Sequence, residues 1–304
     1  MNNFVFLLVI ALCGTRASTL NVDGANRIIG GTLASDTQFR YMVSLQQLSQ
    51  VTNYMRGHRC GGALVSLRHA VTIASCLHGA NGAVIDPAQY RVFAGASVLT
   101  NDTSVDRHRR IEKFTIHPNY RTATPYVNDI AVITLASAFP SNAVSTVSLS
   151  QNDATTQQGA ICQSSGWGSQ NDTSTASTQL MYTTKYVYES QACQMFYSGV
   201  VPGFSQMTIQ NSMICAMPTT ISSSCTGDLG NPLVCNGNLN GLLIVTAYDC
   251  SNVASIIARP EVYTRISTFR SWINTTAGAS TFQPGMAVLA LISIVRFLTS
   301  QVFN

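Results

Sequence analysis

The 304-residue sequence predicts an all-β, barrel-class fold with one C-terminal helix. Two observations carry that expectation. From Tyr41 onward, short apolar and β-branched runs alternate with turns of Gly, Pro, Asn and Ser, which is the pattern of strands in a sheet. Helical periodicity is sparse, and its clearest instance comes late, over Tyr263 to Asn274, with Ile266, Phe269, Trp272 and Ile273 at helical spacing. In chain order the strands are expected at Tyr41–Leu45, Gly62–Val65, Tyr90–Ala94, Ile130–Leu135 and Gly241–Thr246. Each is a short run rich in residues that suit a pleated, half-buried surface.

Composition narrows the class of protein. Hydrophobic residues make up 46% and charged residues 10%, and the net charge of +4 is small and scattered, which argues against a nucleic-acid partner. The polar surface must come mainly from Ser, Thr, Asn and Gln, as suits an extracellular protein. Residues 1–17 read as a secretory signal: the apolar run Phe4–Leu12 is followed by the small residues Thr15 and Ala17. The run is too short to span a bilayer. Of nine cysteines, Cys13 falls inside that signal and eight remain. An even count in a secreted chain implies disulfides, but eight cysteines allow on the order of a hundred pairings, so spacing alone does not choose among them. No Cys-x-x-Cys pair occurs, so zinc is not expected, and neither is any other metal or cofactor. Asn101, Asn171 and Asn274 each begin a glycosylation sequon. In the tail, Gly278-Ala279-Ser280 precedes the apolar run Met286–Val295, a pattern similar to a glycolipid-anchor signal. Arg296 and the short spacer weaken that similarity, so a simple secreted protein with an apolar tail is the leading expectation, and membrane attachment follows only if the tail is an anchor signal.

Function turns on residues 225–232, Cys-Thr-Gly-Asp-Leu-Gly-Asn-Pro. Gly227 and Gly230 permit backbone geometries that a Cβ forbids, so successive N–H groups can converge on one spot, as in an oxyanion site. This loop resembles the nucleophile loop of trypsin- and chymotrypsin-like serine proteases, Gly-Asp-Ser-Gly-Gly-Pro, with Leu229 standing where that family carries its serine. Further landmarks follow in the family's order: Arg27-Ile28-Ile29-Gly30-Gly31 at the zymogen cleavage site, Cys60-Gly61-Gly62, Thr72-Ile73-Ala74-Ser75-Cys76, Asn128-Asp129-Ile130-Ala131 and Ser165-Gly166-Trp167-Gly168. Ser75 stands where the catalytic histidine belongs, and a serine hydroxyl does not accept a proton near neutral pH. Asp129 is the one triad position retained. With no histidine to orient, it becomes a buried carboxylate that needs hydrogen bonds, with Ser75 Oγ and nearby N–H groups as the expected donors.

The resemblance, which runs from Ile28 to about Asn274, implies two six-stranded Greek-key barrels. It implies an activation segment at 18–27, a protease-like domain at 28–274 and a tail at 275–304. It also implies disulfides Cys60–Cys76, Cys162–Cys235, Cys193–Cys215 and Cys225–Cys250. Cleavage after Arg27 would free the Ile28 amine to pair with Asp228, and the backbone of Gly227 and Leu229 would form the oxyanion hole. The specificity pocket would be lined by Ser223, Tyr248 and Glu261, the last two in place of wall glycines, where their side chains would fill it. The expected function is a secreted, non-catalytic protease homologue that binds extracellular proteins, an active protease or its substrate, as a cofactor or decoy in a proteolytic cascade. Two alternatives stand beside it. One is an active endopeptidase with a displaced triad built on Ser75, Ser223 or Ser224. The other is a lipid-anchored cell-surface binding protein.

Overall fold

The computed structural model describes residues 31–53, 56–99, 106–123, 126–151, 157–168, 178–199, 206–220, 222–225, 227–246 and 259–278. The strands are β1 (Thr32–Leu33), β2 (Met42–Gln47), β3 (His58–Ser66), β4 (His69–Thr72), β5 (Tyr90–Ala94), β6 (His108–Ile116), β7 (Ala131–Leu135) and β8 (Ser148–Leu149). They continue with β9 (Ile161–Gly166), β10 (Met181–Tyr188), β11 (Met213–Pro218), β12 (Pro232–Cys235), β13 (Asn238–Val245) and β14 (Glu261–Arg265). Two helices complete the set, α1 (Ser190–Phe196) and α2 (Ile266–Thr276).

The strands form two closed antiparallel barrels. The first runs β2-β3-β4-β7-β6-β5 and closes through the β2–β5 pairing. The second runs β10-β11-β14-β13-β12-β9 and closes where β9 pairs with β10. β1 extends β10 at its edge, and β8 adds to β13 in parallel. Closure removes exposed sheet edges, which would otherwise pair with other chains.

Each barrel has its own core. Val43, Leu45, Leu64, Val92, Ile133, Leu135 and Phe139 fill the first. Val187, Ile214, Leu233, Leu243 and Tyr263 fill the second. A third cluster joins the two: Val71 and Val132 from the first barrel meet Leu242, Ile244 and Val262 from the second, together with the inner face of α2. Trp167 is fully buried against Phe93 and donates from Nε1 to Ser97 O at 2.9 Å, which fixes the second barrel to a loop of the first. Disulfides join Cys60–Cys76, Cys162–Cys235 and Cys193–Cys215. Cys225 is also disulfide-bonded, and Cys250 lies outside the described residues.

The helix begins later than its periodicity suggests. Tyr263, Thr264 and Arg265 belong to β14, because Tyr263 pairs with both Ile214 and Leu243 and its ring is sealed in the barrel core. Sheet pairing on both sides outweighs a local helical pattern. The short helix α1 lies between expected strands; the Glu189 carboxylate caps it by accepting from Gln191 N and Ala192 N, and Cys193 ties it to β11.

α2 holds to the barrels through Ile266, Phe269 and Ile273, all buried. Phe269→Ala should therefore cost about 3–5 kcal/mol, the usual range for emptying a core aromatic site. Urea unfolding measures it. A loss below about 1 kcal/mol would mean that the helix is not part of the shared core.

Candidate functional site

The loop at 225–231 descends from the second barrel onto the first. Gly61 of β3 donates its N–H to Leu229 O at 2.9 Å, while Gly230 N donates to Leu243 O at 2.8 Å and Leu243 N to Asn231 O at 2.9 Å. Gly227 has φ +94°, a conformation that L side chains rarely adopt. Its carbonyl accepts from His58 Nε2 at 2.8 Å, and His58 Nδ1 meets Ser44 Oγ at 2.7 Å. Burial holds the His58 imidazole at about 4, opposed by the bond to Gly227, so the ring is neutral near pH 7 and braces the loop.

At the centre of the loop lies Asp228, fully buried. Its Oδ1 accepts from Gly168 N at 2.8 Å and Asn231 Nδ2 at 2.7 Å, and its Oδ2 from Cys225 N at 2.8 Å. A side chain at position 168 would collide with the carboxylate, so glycine is required there for close approach. The sequence marks Asp228 as the partner of an incoming amine; the amide of Asn231, the second donor from within the loop, has no counterpart in the family's Gly-Gly-Pro ending. Burial pushes the Asp228 carboxyl up to about 6, with Glu261 adding to the rise and the N–H groups of Cys225 and Gly168 and the Lys185 charge opposing it. Arg27 and Ile28 lie outside the described residues.

The triad positions are brought together, but with altered chemistry. Ser75 sits in a single 3₁₀ turn after β4, Ala74–Leu77. Its N donates to Asp129 Oδ1 and its Oγ to Asp129 Oδ2, both at 2.8 Å. Burial raises the Asp129 carboxyl, and the Ser75 and Ala74 donors and the His78 charge pull against that rise. Thr264 Oγ1 donates to Asp129 O at 2.8 Å and ties this corner to β14. The Leu229 side chain is half-buried against the shared core. The N–H groups of Gly227 and Leu229, expected to form an oxyanion hole, make no hydrogen bond among the described residues.

All five histidines of the chain are described; His78 N donates to Ser75 O at 3.3 Å, but among the described residues no imidazole ring is hydrogen-bonded to Ser75, Ser223 or Ser224. His78 Nδ1 meets Ala74 O at 2.9 Å, and His69 Nδ1 meets Ser66 Oγ at 2.9 Å. His108 stacks near Phe93 and His117 against Phe269 and Trp272.

The pocket residues Ser223 and Glu261 are both buried. Ser223 Oγ donates to Ser224 O at 2.9 Å, and Ser224 N donates to Glu261 Oε1 at 2.8 Å. The partner of Glu261 is Lys185 on β10, a residue that sequence reasoning passed over. Strict alternation of burial along β10 turns Lys185 inward, and its sequence, with tyrosines on the outward side, gave no signal of that facing. Tyr248 lies outside the described residues, as do Asn101 and Asn171, while Asn274 is half-buried near the end of α2.

Comparison with known proteins agrees with this architecture. The sequence matches the Trypsin family over residues 28–273. It is 32% identical over 277 residues to trypsin alpha of Drosophila melanogaster, covering 90% of this chain and 96% of that protein. It is 29% identical over 288 residues to chymotrypsin-like elastase family member 1 of Macaca fascicularis, covering 92% and 100%. In fold it is similar to neuropsin, a serine protease of mouse brain, with TM-score 0.65, 24% identity and coverage of 82% of this chain and 99% of that one. A mutant of human heparin binding protein matches at TM-score 0.63 and 24% identity, covering 83% and 98%. The chain belongs to the trypsin family of serine proteases.

The Asp228 environment has a pH signature. Its folded carboxyl, at about 6, lies above its ordinary value of 3.8, so the folded state holds the proton more tightly. Stability should fall as pH rises from about 4 to about 6 and carry a penalty of about 2–3 kcal/mol above that window. Asp129, raised in the same direction, adds to that slope, and Glu261, lowered, opposes it. Asp228→Asn in the uncut chain isolates the contribution: melting scans should show the wild type losing stability relative to the variant across that window. Parallel curves would show that Asp228 already has a cationic partner.

Proposed function

We propose that this member of the trypsin family is a secreted protease homologue that does not cleave peptide bonds and acts by binding extracellular proteins, as a cofactor or decoy in a proteolytic cascade. The observation that carries the reading is the Ser75–Asp129 pair. Both carboxylate oxygens of Asp129, which would orient a histidine, are taken by the backbone and hydroxyl of Ser75. Proton abstraction needs a base within hydrogen-bond reach of a nucleophile, and no histidine stands in that relation to a serine of the site. Leu229 has no nucleophilic atom. In this family's own triad, loss of a member leaves only about 10³–10⁴-fold catalysis over water, from the oxyanion hole and binding. The barrels and the loop persist without the chemistry, and an ordered loop surface is what a binding protein needs.

The second reading, an endopeptidase with a displaced triad, draws on the relatives, which include trypsins and elastases. The engaged histidines and the buried state of Ser223 and Ser224 weigh against it. Secretion, processing after Arg27 and the fate of the tail belong to the proposal; among the described residues no helix is long and apolar enough to cross a membrane.

The test compares wild type with Ser75→His/Leu229→Ser on a broad peptide library, both cut after Arg27 and mapped at Ile28. The wild type should cleave nothing above the uncatalysed background. The rebuilt variant should gain measurable esterase or peptidase turnover, because Asp129 already lies beside position 75 and the Gly227 N–H makes no other hydrogen bond among the described residues. Turnover by the wild type that survives repurification would sink the binding reading.

A further inference from the structure

β10 alternates strictly: Met181, Thr183, Lys185 and Val187 point into the second barrel, and Tyr182, Thr184, Tyr186 and Tyr188 point out. The third inward position is a lysine whose side chain is fully buried. An ammonium inside a barrel core is tolerated only when paired and hydrogen-bonded. This one is saturated. Its Nζ is bonded to Glu261 Oε2, to Ser224 Oγ at 3.1 Å and to Tyr263 OH at 3.1 Å, so each of its three protons has an acceptor. The carboxylate is equally enclosed, since Ser224 N and Ser224 Oγ reach it at 2.8 and 3.1 Å and Tyr263 OH donates to it. Burial pushes the Glu261 carboxyl up, but the Lys185 charge and these donors outweigh it and hold the group below its ordinary value.

The family resemblance places Ser223 and Glu261 in the specificity pocket, and Ser224, next to Ser223, bonds to Glu261. A substrate side chain entering that pocket would reach these atoms from the cleft, whereas Lys185 reaches them from the barrel interior. We propose that Glu261, Ser224 and Tyr263 form a cation site permanently occupied by the chain's own Lys185, that Lys185 thereby bars basic side chains from the pocket, and that shortening it uncovers a site for a primary alkylammonium. The inference rests on the position of residues 223–225 and 261 in the pocket and holds whether or not the chain cleaves peptides. Any partner is then recognised elsewhere than through a lysine or arginine in this pocket.

The experiment uses the full chain with Lys185→Ala and n-propylammonium, which replaces the deleted Cγ, Cδ, Cε and Nζ atom for atom. The variant should lose about 10²–10³-fold in its folding equilibrium at pH 7, because a buried carboxylate is left unpaired. Propylammonium should raise its melting temperature saturably and bind one per chain by calorimetry. n-Propanol should do neither, and Lys185→Ala/Glu261→Gln should not respond to the amine. Where Lys185→Ala fails to accumulate folded, the refolding yield with and without propylammonium gives the same readout. On the wild type, neither propylammonium nor benzamidinium should bind, since the site is filled. Wild-type binding of either cation, an equal response to propanol, or an undiminished response in the double variant would each overturn the proposal.

Discussion

The buried carboxylate of Asp228 is the constraint on which the rest of the site depends. A carboxylate without water must collect hydrogen bonds, and its donors come from three places: Gly168 at the end of β9, Cys225 at the start of the loop and Asn231 at its exit. Meeting that requirement turns the loop back on itself, with Asp228 N donating to Cys225 O and Asn231 N to Asp228 O, around a Gly227 of positive φ. His58 holds the same turn from the first barrel. The loop geometry is therefore a consequence of folding around one charge, and none of these bonds uses the side chain at 229.

The second buried charge shows the same logic with a different result. Glu261 stands where a glycine would leave space, and an inward lysine on β10 neutralises it. Removing either partner alone strands a charge in the core, while replacing both with apolar residues is often neutral. The pair thus resists stepwise loss. At Asp129 the carboxylate is met by neutral donors instead, the backbone N–H of Ser75 and its hydroxyl. At both positions the buried carboxylate keeps its hydrogen bonds, Asp129 from Ser75 and Glu261 from Lys185, Ser224 and Tyr263.

Much of this was legible in the sequence because it depends on local chemistry. The strands at 90–94 and 131–135 follow from their apolar content, and the loop at 225–232 from its glycines and aspartate. The pairing of Ser75 with Asp129 was readable too, since a buried carboxylate must find donors. The start of α2 was not, because Tyr263 takes its conformation from two neighbouring strands far away in sequence. Lys185 was missed for a similar reason: a lysine on an alternating strand ordinarily faces water, and only the closed barrel shows that its side of the strand is the inside. The amide of Asn231 as a donor to Asp228 required the folded loop.

The most direct test of the account is covalent labelling with a fluorophosphonate probe, mapped by mass spectrometry, on chain cut after Arg27 and run beside an active trypsin. The probe reports an activated serine irrespective of the substrate a protease prefers. The account predicts no modified serine in the native chain while trypsin is labelled to completion. Stoichiometric modification of one serine, lost on denaturation, would contradict it, and the position of that serine, whether Ser75, Ser223, Ser224 or another, would locate the catalytic centre.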